Sequence, residues 1–250
     1  MPYPIQKETA IIYVGNSEMN AHVAYPTTSG QYPAIIVVME LFGVNDNIRD
    51  ITNQVAAEGY VAIAPEFYHR TKQSDDLPYG EEGRKKGFEL LHKLRRNEIF
   101  DDVGATIAFL QSRNDVKKRF GIVGFSMGGH IAYLAATQFD IAAVACFYAG
   151  WLTNTEIEIS QPNPTITLTK GIAKHNGKLI YFAGADDTHI TKDQLDKMED
   201  VLKAEQVRYE LVVYVNSSHG FFCDQRPADY NADSHDDAWA RLQKFLKEEL

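Results

Sequence analysis

The sequence has few cysteines, no excess of positive charge and no long apolar run, and each absence excludes a class of protein. Two cysteines among 250 residues are too few for a disulfide framework, and no C-x-x-C pair indicates a zinc site. No apolar stretch approaches the roughly 20 residues that a membrane helix needs, and the first residues lack the features of a signal peptide. We therefore expect a soluble protein of the cytoplasm, where thiols stay reduced.

The charge balance is acidic, with 25 basic and 34 acidic residues and a net charge of −9. An acidic surface repels phosphate backbones, which argues against a nucleic-acid partner. It does not argue against an anionic small molecule, because one or two local arginines can hold a carboxylate. The sequence predicts neither a nucleic-acid nor a membrane partner, and it leaves monomer and homodimer open.

Predicted strands and helices alternate along the chain. Residues 9–14 and 19–25 flank the turn-forming Gly15-Asn16-Ser17, which predicts an antiparallel hairpin. Residues 151–174 are predicted to be a long excursion and residues 70–80 a surface loop. The remaining predicted strands are 34–39, 60–64, 120–124, 142–147, 178–183 and 209–215. The predicted helices are 48–58, 81–94, 98–111, 127–137, 192–204 and 234–250.

This order of elements predicts the fold class. Continuous apolar runs such as residues 34–39 are typical of strands that are covered on both faces. Alternation with helices indicates a mostly parallel sheet with helices on both sides, an α/β fold, and no linker divides residues 1–250 into separate domains. Ligands bind at the carboxyl ends of the strands in such sheets, so we expect functional residues in the loops that follow strands.

The strongest local pattern is Gly124-Phe125-Ser126-Met127-Gly128, which fits G-x-S-x-G between an apolar strand and an Ala-rich helix. The glycines allow close backbone approach, and the turn presents a serine hydroxyl at the positive end of a helix. The N–H of Met127 can then face a developing oxyanion. The pattern predicts Ser126 as a nucleophile, and a tight turn with an incidental serine is the alternative.

A serine needs a base, and in this arrangement the acid and the histidine follow it in the chain. The predicted strand 178–183 is followed by Asp186 and Asp187, and the strand 209–215 is followed by His219. Order and strand-end placement favour His219 as the base over the other histidines. Either aspartate could be the acid, and either could instead be an ordinary turn residue.

Several longer motifs are similar to the dienelactone hydrolase family, and the resemblance runs from about Met19 to Leu250. It implies an α/β-hydrolase fold and hydrolysis of a small-molecule ester or lactone without a metal or organic cofactor. The motifs that carry it are Met39-Glu40-Leu41-Phe42-Gly43-Val44-Asn45, Ala57-Glu58-Gly59-Tyr60, Ala64-Pro65-Glu66-Phe67-Tyr68, Gly121 to Gly129, and His219-Gly220-Phe221 followed by Arg226 and Tyr230.

The resemblance assigns roles to particular positions. Asp187-Thr188-His189-Ile190 matches the frame that holds the family's acid, so Asp187 is preferred to Asp186. Leu41 would supply a second oxyanion N–H. Glu40 stands at the position of a family glutamate beside the nucleophile.

Two departures from the family separate this chain from the namesake enzymes. The namesake enzymes carry cysteine where this chain has Ser126, and their glutamate at the position of Glu40 controls that thiol. The role of Glu40 beside a serine therefore stays open. These enzymes also hold a substrate carboxylate with arginines, one of them four residues after the histidine, where this chain has Cys223. Arg84 corresponds loosely to the other arginine, and Arg226 lies three residues beyond Cys223. Dienelactone itself is therefore not assigned as the substrate.

Four aromatic residues in loops beside these strand ends are predicted to line the pocket: Tyr68, Tyr148, Trp151 and Phe222. The expected mechanism is two-step acyl transfer through an acyl-enzyme. The same chemistry would serve a thioesterase or a peptidase, and a non-catalytic binding module on the same fold is the remaining alternative.

Overall fold

A computed structural model describes residues 1–71 and 76–250. Its strands form one sheet in the order β1-β2-β4-β3-β5-β6-β7-β8. The strands are β1 (Ile5–Val14), β2 (Ser17–Pro26), β3 (Tyr32–Val38), β4 (Val61–Pro65), β5 (Val116–Phe125), β6 (Ala143–Phe147), β7 (Lys178–Gly184) and β8 (Arg208–Tyr214).

The sheet is mostly parallel, as predicted. Strands β1 and β2 form the predicted antiparallel hairpin, with Val14 opposite Ser17, and β2 also pairs antiparallel with β4. All other pairs are parallel. Strands β4 and β6 are buried along their whole length, which explains their continuous apolar sequences.

The helices cover the sheet and agree with the predicted ones to within a few residues at their ends. Side chains cap three of them: Asn45 accepts the N–H of Ile48, Thr191 forms a capping box with Gln194, and Asn231 caps the last helix. No helix in residues 1–71 or 76–250 is long and apolar enough to cross a membrane. The helices are α1 (Asp46–Ala57), α2 (Glu81–Leu91), α3 (Arg96–Ser112), α4 (Met127–Ala136), α5 (Lys170–Lys174), α6 (Lys192–Ala204) and α7 (Ala232–Glu249).

The excursion predicted at residues 151–174 has more regular structure than the sequence indicates. It contains the 3₁₀ turns Glu158–Ser160 and Thr165–Leu168 and then α5. Arg96 at the start of α3 fixes it, because its guanidinium donates to the carbonyls of Ile159 at 2.9 Å and Asn163 at 2.7 Å. These contacts link residues that lie far apart in the chain, so no local sequence pattern predicts them.

Two other predictions differ in detail. The loop predicted at residues 70–80 begins within a 3₁₀ turn, His69–Thr71, and its residues 72–75 lie outside the described part of the chain. Strand β5 begins at Val116, four residues before the predicted start. The prediction left out this first part of the strand because it is mostly polar and exposed. The pattern of a buried strand is present only in its second half.

A buried ionic cluster joins α3 to the turn after β4. Asp102 in α3 is 0% exposed, its carboxylate accepts a hydrogen bond from Arg70 at 2.7 Å, and it lies 3.1 Å from Nε2 of His69. A buried carboxylate of this kind is tolerated because its partners replace the water that it has lost. The cluster therefore holds the chain that leaves β4 against α3.

Replacing Asp102 with alanine should lower the free energy of unfolding by about 3 kcal/mol, because the change leaves Arg70 and His69 without their buried partner. Urea unfolding of both proteins measures the difference. Asp101→Ala is the matched control: Asp101 is the exposed neighbour on the same helix, and its loss should cost less than about 0.5 kcal/mol. Equal losses in the two variants would contradict a special role for the cluster.

Candidate active site

The turn between β5 and α4 holds Ser126 in an unusual conformation, with φ 55° and ψ −116°. Few residues other than glycine adopt a positive φ, and such strain concentrates at functional sites. The glycines on either side are required by contact: a Cβ on Gly124 would lie 2.0 Å from the Gly128 carbonyl oxygen. A Cβ on Gly128 would lie 2.4 Å from the Met39 carbonyl oxygen. Close packing at this turn therefore requires the two glycines of the G-x-S-x-G pattern.

A continuous chain of hydrogen bonds begins at the serine hydroxyl. Ser126 Oγ lies 2.8 Å from Nε2 of His219, and Nδ1 of the same ring lies 2.8 Å from Oδ2 of Asp187. The other carboxylate oxygen, Oδ1, accepts the backbone N–H groups of His189 at 2.8 Å and Ile190 at 3.2 Å. With Nδ1–H donating to the carboxylate, Nε2 is free to accept the serine proton.

The neighbouring aspartate takes no part in this chain. Asp186 is exposed, and its backbone N–H donates to the Ser217 carbonyl at 3.0 Å. The structure thus brings Asp187, and not Asp186, to the histidine, as the family frame indicates. The catalytic roles of Ser126, Asp187 and His219 stay predictions.

The sheet explains why residues so far apart in sequence meet. Strands β5, β7 and β8 are parallel neighbours or near neighbours, so the loops after them leave the same edge. Gly184 ends β7 directly beside the loop after β8, and a Cβ there would lie 2.1 Å from the Ser217 carbonyl oxygen. This close approach places the loops that carry Asp187 and His219 against each other.

Leu41 and Met127, the predicted donors to an oxyanion, both contact the same buried tyrosine. The Tyr68 hydroxyl oxygen lies 3.1 Å from the Leu41 carbonyl oxygen and 3.3 Å from Met127 Sδ. Burial raises the pKa of Tyr68 well above its ordinary value, so the hydroxyl keeps its proton. Contrary to the sequence prediction, Tyr68 does not line the cavity at Ser126 but lies beneath it, because the chain after β4 turns inward.

The cavity at Ser126 has a volume of about 290 Å³. It brings together six of the sequence-predicted residues: Ser126, His219, Glu40, Leu41, Arg84 and Trp151. Arg226, which was not assigned to the site, borders it as well. Trp151 is held at φ 59°, and its ring meets Phe88 edge to face at 6.4 Å between centroids. These two rings form an aromatic wall of the cavity.

Two of the predicted pocket aromatics lie behind the site rather than in it. Tyr148 is fully buried, donates its hydroxyl to Glu40 Oε1 at 3.1 Å, and packs its ring against His219 at 5.0 Å between centroids. Phe222 is also buried and stacks on Phe125 at 5.5 Å. Both follow strand ends, as the prediction required, but their side chains turn into the core.

Glu40 is 1% exposed and borders the cavity. Tyr148 satisfies Oε1, whereas Oε2 has no hydrogen-bond partner in the described residues. Among the described residues the nearest cation is Arg226, whose Nη1 lies 3.9 Å from Oε2 and whose Nη2 bonds Asp229 at 2.6 Å. Burial lowers the pKa of Arg226, but Glu40 and Asp229 outweigh it and raise the pKa above its usual value. A cation is thus retained beside the buried carboxylate.

Two further groups that sequence reasoning set aside are structural in this fold. His130 lies under the serine turn, where it bonds the Gly150 carbonyl at 2.9 Å and the Thr165 hydroxyl at 2.8 Å. Burial lowers the pKa of His130 to about 4, so the ring is neutral at physiological pH. Cys223 is buried 3.4 Å from the Tyr79 hydroxyl, and burial raises the pKa of its thiol to about 12.

Sequence reasoning missed several residues that line the cavity. His189 lies in the frame of the acid, and its ring meets that of His219 at 5.2 Å. Burial, and then the charge of His219, lowers the pKa of His189. Only Phe42, Thr188 and His189 lie in motifs that could have pointed to them; the others belong to helices or loops without a signature. The missed residues are Phe42, Phe88, Gly150, Asn154, Glu156, Thr188, His189 and Gln194.

Among the residues that the structure describes, no group of three or more His, Cys, Asp or Glu side chains could hold a metal ion.

The parallel sheet and the serine turn between β5 and α4 define an α/β-hydrolase. Residues 19–250 match the dienelactone hydrolase family, and the chain belongs to that family. A protein of Synechocystis sp., provisionally named a carboxymethylenebutenolidase, is 37% identical over 246 residues, which cover 97% of this chain and 98% of the relative.

Solved structures agree with this placement. A crystal structure of a protein from Klebsiella pneumoniae, provisionally named a dienelactone hydrolase, superposes with a TM-score of 0.87 at 28% identity, covering 98% of this chain and 99% of the other. A metagenomic phosphotriesterase described as dienelactone hydrolase-like has a TM-score of 0.81 at 16% identity, with 98% of each chain covered. This second likeness concerns the fold alone.

Proposed function

We propose that this protein hydrolyses a carboxylic ester or lactone, with Ser126 as nucleophile, His219 as general base and Asp187 as the acid of the triad. The observation that carries the proposal is the unbroken hydrogen-bond chain from Ser126 Oγ through His219 to Asp187, with links of 2.8 Å. The serine and the histidine border one cavity, where a substrate carbonyl can meet the hydroxyl. The names of the relatives from Synechocystis and Klebsiella support an ester or lactone as the bond cleaved.

In the first half of the reaction, His219 Nε2 accepts the proton of Ser126 as Oγ attacks the carbonyl carbon. The N–H groups of Met127 and Leu41 stabilise the oxyanion of the tetrahedral intermediate. Collapse breaks the bond to the leaving oxygen, which takes the proton from the imidazolium and leaves an acyl-enzyme. Asp187 holds the ring in the required tautomer and stabilises its charged form.

In the second half, water replaces the alcohol. His219 accepts a proton from the water as it attacks the acyl-enzyme, and the proton returns to Ser126 Oγ when the acid departs. A lactone follows the same course, but the alcohol and the acid then remain parts of one product. Of the residues that these steps use, Ser126, His219 and Leu41 border the cavity, and Asp187 acts through His219.

Two arginines and two glutamates, Glu40 and Glu156, border the cavity, and the unpaired arginine favours a substrate that carries a negative group. The arginines are Arg84 and Arg226, and the described part of the chain offers the Arg84 side chain no hydrogen bond or ion pair. Guanidinium groups bind carboxylates strongly because their N–H groups match both oxygens. We infer that a carboxylate on the substrate binds at Arg84, with Arg226 beside it.

Ser126→Ala should lower kcat for p-nitrophenyl acetate by at least about a thousand-fold, because the variant has no nucleophile. Nitrophenolate release measures the rate, and a fluorophosphonate probe should label the parent protein but not the variant. Ser112→Ala, an exposed serine at the end of α3, serves as the control and should keep full activity. Retained activity in Ser126→Ala would exclude this serine as the nucleophile.

The two adjacent aspartates allow a matched test of the acid. Asp187→Asn should lower kcat by about 10⁴-fold, since an amide favours the wrong histidine tautomer. Asp186→Asn removes the same charge one residue away, at an exposed position, and kcat should stay within about two-fold. Similar losses in both variants would mean that the negative charge of this loop, and not the bond from Asp187 to His219, supports the reaction.

The charge of the cavity can be tested with two esters of similar size. Arg84→Gln should lower kcat/KM for mono-p-nitrophenyl succinate about ten-fold relative to p-nitrophenyl butyrate, because only the first carries a carboxylate. Lys85→Gln removes a charge from the same helix, outside the cavity lining, and should leave the ratio unchanged. An unchanged ratio in Arg84→Gln would mean that the substrate carboxylate binds elsewhere or that the substrate carries none.

A further inference from the structure

A second groove, of about 550 Å³, adjoins the cavity at Ser126. Three residues, Phe42, Arg84 and Arg226, border both spaces and so lie at the boundary between them. The cavity at Ser126 is smaller, about 290 Å³, which is near the lower end of the roughly 300–1,000 Å³ typical of ligand sites. An ester that is too large for the cavity could extend across this boundary into the groove.

The two arginines of the boundary are restrained to different degrees. Arg226 is held by Asp229 at 2.6 Å, lies over the Phe42 ring at 5.8 Å and leaves only 11% of its side chain exposed. Arg84 extends from the exposed surface of α2, and its guanidinium has no hydrogen-bond or ion-pair partner in residues 1–71 or 76–250. Arg84 can therefore change its orientation while Arg226 stays in place.

The lining of the groove indicates what it accepts. Phe42 and Tyr79 pack edge to face at 4.8 Å between centroids and form an aromatic wall, which Pro227 and Ala228 continue. The carboxylate of Glu81 also borders the groove, as does that of Asp229. Arg84 and Arg226 balance these two carboxylates, so the lining carries no net charge and its aromatic wall favours an uncharged apolar group.

We propose that this groove is an extension of the substrate site and binds an uncharged aryl or alkyl part of the ester beyond Arg84 and Arg226. The proposal rests on the proposed ester hydrolysis at Ser126 and adds the size and polarity of the substrate to it. A favoured substrate then has its carbonyl at Ser126, any anionic group at the arginines, and an apolar portion against Phe42 and Tyr79.

Filling the groove should penalise long esters selectively. Ala228 is exposed and borders the groove but not the cavity, so Ala228→Trp fills it. Two substrate pairs test the two sides of the scissile bond. The acyl side is tested with p-nitrophenyl acetate against p-nitrophenyl 4-phenylbutyrate. The alcohol side is tested with methyl acetate against 4-phenylbutyl acetate, whose hydrolysis is measured by proton release. The ratio of kcat/KM for the long ester to that for the short one should fall about ten-fold in one pair or both.

Ala240→Trp is the matched control, since Ala240 is an exposed alanine on α7 that borders neither space, and it should leave both ratios unchanged. Gln225→Trp fills the groove from a second position and should repeat the effect of Ala228→Trp. Ratios within two-fold of those of the parent protein, in both groove variants and both substrate pairs, would overturn the proposal.

Failure of the proposed function can be distinguished from failure of the groove. The short esters report ester hydrolysis, whereas only the ratio of long to short reports the groove. If the parent protein hydrolyses neither short ester, calorimetric binding of 4-phenylbutyrate still tests the groove. The Kd of this anion should rise about ten-fold in Ala228→Trp and not in Ala240→Trp, and equal values in all three proteins would overturn the groove proposal.

Discussion

The site depends on the close contact between the turn after β5 and the backbone of the neighbouring strand β3. Gly128 lies so near the Met39 carbonyl oxygen, and Gly124 so near Gly128, that neither position can carry a Cβ. This contact fixes the direction in which α4 leaves the sheet, and with it the positive φ of Ser126. A serine in such a turn cannot relax into an ordinary conformation without moving the helix. The strain is therefore sustained by the packing of the sheet and keeps the hydroxyl directed at the cavity.

Buried tyrosines extend this rigidity to the rest of the site. Tyr68 contacts both Leu41 and Met127, so the two backbone segments proposed to bind an oxyanion share one support. Tyr148 supports the other side, because its ring packs on His219 while its hydroxyl is held by Glu40. Preorganised dipoles of this kind need no rearrangement during the reaction, which is the condition for strong electrostatic stabilisation.

The sequence was sufficient for the parts of the structure that are local or periodic. Alternating apolar segments predicted the parallel sheet, and the G-x-S-x-G pattern predicted the turn at Ser126, where Gly124 is required by a contact within the turn and Gly128 by a contact with the end of β3. The order of strand ends also led to His219. Distant contacts were not accessible: nothing near Tyr68 or Phe222 indicates that the side chain turns into the core, and nothing near Arg96 indicates that it organises the excursion before α5. Asp187 was distinguished from Asp186 only by its frame, whose physical basis is the pair of N–H bonds to its carboxylate.

The serine changes what a buried glutamate can do beside the nucleophile. A carboxylate can influence the ionisation of a thiol, whose pKa is near 8.5, but a serine hydroxyl is far less acidic and needs a base, the role proposed for His219. Glu40 is nevertheless buried with one oxygen unsatisfied, which is costly unless its position has other uses. It bonds Tyr148, which supports His219, and it lies 3.9 Å from Arg226, which borders both the cavity and the groove. Glu40 thus connects the histidine side of the site to its arginine side, a role that does not require a thiol at position 126.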